Sequence, residues 1–135
     1  MIIHYRHYFD AAHRLAGYDG LCAHVHGHRY VVEFKFEVAC VNELGISVDF
    51  NDIKNVVGSW IDRDWDHALL VNALDQSLSV LNGAQRIKRL NGNPTAENIA
   101  VEMAMGVSKL IADWPVTLKS VIVWETPDFG VEIEA

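Results

Sequence analysis

The chain is predicted to fold as an α+β protein, and three features predict it. Two strand-like runs open the sequence, two amphipathic helical stretches occupy its middle, and two further strand-like runs close it. The order β-β-α-α-β-β pairs strands at each end. It favours a four-stranded antiparallel sheet with two helices on one face.

The elements follow in order. Ile2 to Phe9 is aromatic and β-branched, hence a strand. Asp10 to Gly27 is rich in glycine and reads as a long loop, and loops of that length in a compact domain are usually functional. His28 to Val38 alternates. Tyr30, Val32, Phe34, Phe36 and Val38 face one way, with Arg29, Glu33, Lys35 and Glu37 supplying most of the polar positions, so a second strand runs antiparallel to the first. Asn42-Glu43-Leu44-Gly45 is a turn and Ile46 to Asp49 a short strand. Asn51 is a cap for a helix from about Asp52 to Asp62, on which Ile53, Val56, Val57, Trp60 and Ile61 fall at helical spacing.

Asp64-Trp65-Asp66-His67-Ala68-Leu69-Leu70 follows, then a polar stretch to about Ala84, and Gln85 to Leu90 reads as a short strand. Asn91-Gly92-Asn93-Pro94 breaks the chain. Thr95 caps a second helix with Ile99, Met103, Val107, Leu110 and Ile111 on one face, ended by Trp114-Pro115. Thr117 to Thr126 is a strong strand. Pro127-Asp128-Phe129-Gly130 turns it, and Val131 to Glu134 returns.

Residues 1–135 carry no internal repeat, low-complexity tract or linker, so one domain is expected. Half the residues are apolar, but no apolar run approaches the ~20 that a membrane span needs. Met1 to Arg6 lacks the pattern of a signal peptide, and the two cysteines are expected to be free thiols, so a cytoplasmic protein is expected. Cys40 is expected to be a small buried hydrophobe at a strand end. Net charge is -7, and the largest basic cluster is Arg86, Lys88 and Arg89, which speaks against nucleic acid as a partner. A small open sheet must protect its edges, and edge-to-edge pairing with further copies does so. A homo-oligomer is expected.

The most informative segment is Cys22-Ala23-His24-Val25-His26-Gly27-His28, with His13 upstream. His26 and His28 are two apart at the mouth of a strand, so both side chains share a face and can reach one metal ion. His13 is the preferred third ligand, and His24, of the same parity, is the alternative. His4 and His7 are read as non-ligands. Three imidazoles leave an open tetrahedral position, and zinc suits that donor set; nickel and iron fit it less commonly.

Cys22 lies four residues before His26. A thiolate there can take a proton from a carbon made acidic by the metal; the competing reading is an inert structural cysteine. Asp66-His67 is either an oriented acid–base pair or a charge pair at a helix end. Glu125, at the end of an apolar strand, is either an exposed acid or a carboxylate that accepts two parallel N–H bonds from an amidine-like edge. Glu97 has a ready structural role in the first turn of a helix.

Taken in order, Phe9-Asp10-Ala11-Ala12-His13-Arg14-Leu15, Cys22 with His26-Gly27-His28, Val48-Asp49-Phe50, Asp66-His67, Pro94-Thr95-Ala96-Glu97-Asn98 and Trp124-Glu125-Thr126 form a highly specific set. The chain resembles the family of 6-pyruvoyl-tetrahydropterin and 6-carboxy-tetrahydropterin synthases over nearly its whole length. The resemblance implies the tunnelling fold, in which subunits close a barrel through their edge strands and stack as a hexamer, a dimer of trimers. It implies zinc on His13, His26 and His28, with Cys22 as the proton-abstracting base. Asp66 and His67 form a relay contributed across a subunit interface. Glu125 anchors the pterin ring, helped by Thr95 and Glu97.

The spacing from Cys22 to His26 resembles the 6-carboxy-tetrahydropterin synthases of queuosine biosynthesis. That implies conversion of the partner small molecule 7,8-dihydroneopterin triphosphate to 6-carboxy-5,6,7,8-tetrahydropterin, acetaldehyde and triphosphate. The alternatives are a 6-pyruvoyl-tetrahydropterin synthase, which eliminates triphosphate and keeps the side chain, and a pterin-binding module without turnover. Against the family pattern, Ala23-His24-Val25 lacks a basic residue and adds an imidazole. The stretch 72–92 is long; it either carries Arg86, Lys88 and Arg89 to the phosphates or extends the surface. Ala23 argues against the folate-type variant, which uses Glu beside the cysteine.

Overall fold

Alternation along β2 (His26–Val38) becomes burial in the computed structural model, which describes residues 1–77, 83 and 85–135. Tyr30, Val32, Phe34 and Phe36 are fully buried in one apolar cluster with Ile53, Val57 and Ile61 from the first helical segment and Ile99, Met103 and Val107 from the second. The face they leave behind is polar. Arg6 donates to Glu33 at 2.7 Å on the neighbouring strand, and Lys35 reaches over the next strand to donate to Glu132 at 2.7 Å. One face of helices and one of charged ladders is the α+β layering expected.

β1 (Ile2–His13) pairs antiparallel with β2 from Ile2↔Glu37 to His13↔His26. Both strands run further into the expected Asp10–Gly27 loop, leaving residues 14–25 as the connection. β5 (Val116–Trp124) and β6 (Gly130–Glu134) close one side of the sheet as an antiparallel pair.

The sheet departs from expectation on its other side. Among the described residues it has six strands, not four, in the order β4-β3-β1-β2-β5-β6. It is also mixed, because β3 (Ala68–Asn72) runs parallel to β1, and β4 (Ile87–Leu90) parallel to β3. The element order is therefore β-β-α-β-β-α-β-β. Ala68 to Val71 are all buried, so β3 carries no alternation to betray it; a short unbroken apolar run is what a parallel strand covered on both faces shows.

The first helical segment spans 50–64: α1 (Phe50–Ile53), a π turn at Lys54–Gly58, and α2 (Ser59–Asp64). Its cap is Asp49, whose carboxylate accepts from the Asn51 backbone N–H at 2.8 Å, rather than Asn51. Ile46 to Asp49 forms no strand and leads straight into that cap. Cys40 lies beyond the end of β2 and is exposed, so its expected burial is corrected. α3 (Ala96–Leu110) is capped by Thr95 as expected and buries Ile99, Met103 and Val107. Residues 78–82 and 84 of the long 72–92 stretch lie outside the described residues. No helix of the described residues is long and apolar enough to cross a membrane.

Gly106 lets α3 approach the first helical segment. A methyl group there would lie 2.5 Å from the Trp60 ring, which is itself set edge-on against Trp65. Gly106→Ala is expected to lower stability, because overpacking costs about 1–3 kcal/mol and helix propensity returns only about 1. A melting temperature equal to or above the parent's would contradict this.

Candidate active site

The register of β1 against β2 builds the centre of the site. His13 stands directly across from His26, and Ala11 from His28, at the open ends of the two strands. Strand periodicity keeps His26 and His28 on one face. The three rings gather with centroid separations of 4.5, 5.0 and 5.0 Å, and one nitrogen of each lies within 4.8 Å of the others.

Hydrogen bonds fix the tautomers. His13 Nδ1 donates to the Pro94 carbonyl at 2.7 Å, and His26 Nδ1 donates to the His24 carbonyl at 2.8 Å. A carbonyl can only accept, so each Nε2 keeps a lone pair. These two Nε2 atoms face each other at 3.1 Å. Two lone pairs so close repel unless a cation lies between them. Tetrahedral zinc with Zn–N bonds of about 2.0–2.1 Å would hold its donor atoms about 3.3 Å apart, so the geometry fits. His28 Nε2 is buried with no hydrogen-bond partner, a third orphaned donor atom at the same place. Burial is the main influence pushing both His13 and His28 below the ordinary histidine pKa, towards the neutral form that binds metal. The trio can therefore hold a metal ion. His24 contributes its backbone carbonyl beneath His26 rather than its ring. His4 and His7 are bound to Glu33 and Asp62.

Around the trio, loop 14–25 carries Cys22 in a single 3-10 turn, Leu21–Ala23. Its two limbs are joined by the Leu15 N–H donating to the Cys22 carbonyl at 2.8 Å. Cys22 is half-buried and lines a cavity of about 430 Å³ together with His13, Thr95, Glu97, Glu125 and Phe129. Glu125 follows the last residue of β5, and its carboxylate reaches back to 3.6 Å from His28 Nε2 and 4.0 Å from His13 Nε2. Thr95 and Glu97 arrive together because they open α3. Five of the expected site residues thus share one cavity, and two of them, His13 and Glu125, adjoin His26 and His28.

Asp66 and His67 form the oriented pair. His67 Nδ1 donates to Asp66 at 2.6 Å, and the second Asp66 oxygen accepts the Asp10 backbone N–H at 2.8 Å. Burial works to raise the Asp66 pKa; the bonds from Asp10 and His67 outweigh it and hold the group low. His67 has φ 54, a left-handed conformation uncommon for a side-chain-bearing residue, and its N–H donates to Asp10 at 2.7 Å. His67 lines a different cleft from Cys22, beside Gly27, His28 and Arg29. Among the described residues of one chain, Cys22 and His67 line separate pockets.

Two contributors escaped sequence reasoning. Tyr30 lies on the His26–His28 face, buried, with its hydroxyl 3.2 Å from His13 Nδ1; burial above all raises its pKa and keeps it neutral. Period two already placed it there. The Pro94 carbonyl has no signal in the side-chain pattern. Arg86 donates to the Asp62 and Asp66 carbonyls and Lys88 stacks on Trp65, so both are engaged with the protein itself.

The sequence model of the family described as 6-pyruvoyl tetrahydropterin synthase matches residues 2–135. A Rickettsia bellii protein called 6-carboxy-5,6,7,8-tetrahydropterin synthase is 35% identical over 129 residues, covering 93% of this chain and 94% of that one. A Pyrococcus furiosus dihydroneopterin monophosphate aldolase is 32% identical over 134 residues, covering 96% and 94%. Among solved structures, a Wolinella succinogenes protein of uncharacterised function superposes with a TM-score of 0.81 at 20% identity, covering 99% of this chain and 98% of that one. The Caenorhabditis elegans 6-pyruvoyl tetrahydropterin synthase gives 0.69 at 24%, covering 100% and 95%. These two share the fold. The chain belongs to the 6-pyruvoyl tetrahydropterin synthase family and is an enzyme of that pterin-synthase type.

Proposed function

We propose that the protein is a zinc-dependent lyase that converts 7,8-dihydroneopterin triphosphate to 6-carboxy-5,6,7,8-tetrahydropterin, acetaldehyde and triphosphate, acting in the cytoplasm as a single-domain subunit of a homo-oligomer. The observation that carries this is the shared cavity, which Cys22 lines together with His13 and Glu125. His13, His26 and His28 would hold the zinc, which supplies Lewis-acid polarisation of the substrate's side-chain oxygens. Glu125 accepts the paired N–H groups of the pterin edge, with Thr95 and Glu97 closing the same end. Cys22 Sγ removes the proton from the side-chain carbon. His67 carries protons through its Nε2, held in one tautomer by Asp66.

The separation of His67 from Cys22 within one chain favours a site completed by a neighbouring subunit, as the edge strands β4 and β6 would allow. Mixed oligomers test this. Cys22→Ala and His67→Ala chains, each inactive alone, are expected to recover about a quarter of parental activity when reassembled in equal amounts, the statistical share of intact composite sites. No recovery would place the relay within one chain. The reaction itself is tested by incubation with dihydroneopterin triphosphate. Acetaldehyde is the expected fragment; a product keeping all three side-chain carbons would assign the 6-pyruvoyl reaction instead.

A further inference from the structure

Asn93 stands in the turn before α3, next to the carbonyl that fixes His13. Its side chain grips the backbone of Ala16 at both polar atoms. The Ala16 N–H donates to Asn93 Oδ1 at 3.0 Å, and Asn93 Nδ2 donates to the Ala16 carbonyl at 2.9 Å. An amide that both takes and gives a bond with one residue imitates a rung of an antiparallel ladder. The orientation of the amide is set independently. Asn72 Nδ2, at the end of β3, points at the same Oδ1 from 3.4 Å and can only donate.

Ala16 adjoins Leu15, whose N–H holds the Cys22 carbonyl. The Asn93 turn is rigid in its own right: its carbonyl accepts from Thr95 N–H at 2.8 Å and from Asn98 Nδ2 at 2.8 Å. Pro94, the next residue, accepts from His13. One turn therefore grips the metal side of the cavity through Pro94 and the thiol side through Asn93. We infer that Asn93 is a positioning residue for Cys22, setting the thiol loop against the imidazole trio. The inference deepens the proposed function and rests on Cys22 being the base.

The test uses the metal-loaded protein in a Cys40→Ser background, so that Cys22 is the only thiol. Asn93→Ala removes both bonds. Asn93→Asp keeps size and the acceptor but sets an oxygen against the Ala16 carbonyl. Two lost hydrogen bonds of about 1 kcal/mol each predict a rise of about tenfold or more in the rate of Cys22 alkylation by iodoacetamide. Over both variants kcat is expected to fall about tenfold or more with KM and metal content nearly unchanged. Unchanged alkylation, or unchanged kcat per folded molecule with only a lower melting temperature, would overturn the inference. Full turnover by Cys22→Ala would instead remove the base assigned above, and the alkylation rates would still report whether Asn93 holds the loop.

Discussion

Cys22→Ala is expected to bind its metal ion at the parental stoichiometry and to turn over about a hundred- to ten-thousand-fold more slowly, the range for losing a positioned acid–base group. The side chain lies on an irregular loop and is half-buried, so its truncation removes no core packing. The three nitrogens that can bind the metal come from His13, His26 and His28, and their supports at Pro94 and His24 are backbone carbonyls untouched by the change. Loss of rate with metal and melting temperature retained would separate chemistry from structure. Parental turnover in the variant would remove the thiol from the mechanism.

The second large effect is on the metal. His28→Ala is expected to weaken zinc binding by more than about a hundredfold, since even the groups that hydrogen-bond to metal ligands are worth about 10–100-fold. The metal-free protein should respond in the opposite sense. His28 Nε2 is buried without a partner, so deleting it removes an uncompensated polar atom, and metal-free stability should hold or rise. The expected signature is therefore a melting temperature that no longer climbs with added zinc. Unchanged zinc content would show that another donor, with His24 nearest in sequence, replaces the ring.

How far the site could be read in the sequence depended on whether its residues follow one strand or loop. His26 and His28 obey period two, and Cys22 precedes them on the same stretch, so their convergence needed only local geometry. His13 needed the pairing of β1 with β2, which hairpin alternation implied. Gln85 to Leu90 was legible as a short strand and is β4 (Ile87–Leu90), but β3, which joins it to the rest of the sheet, was hidden for a physical reason. Ala68 to Val71 are buried on both faces, and parallel pairing joins segments far apart in the chain, so neither alternation nor a turn marks it. Asp66 and His67 were visible as types but not as a bonded pair, because the left-handed backbone at His67 that aligns them has no side-chain signature. Cys40 was misplaced because the apolar residues that follow Val38 do not extend β2, which ends there as expected, and lie exposed beyond it.

The measurement that bears most directly on the metal centre is X-ray absorption at the zinc edge of the reconstituted protein, with zinc quantified per chain. Three imidazole nitrogens and one oxygen donor, at one zinc per chain, are predicted, with Cys22 left free. A sulfur shell at about 2.3 Å would contradict the account, because a thiolate bound to the ion cannot serve as the base beside it.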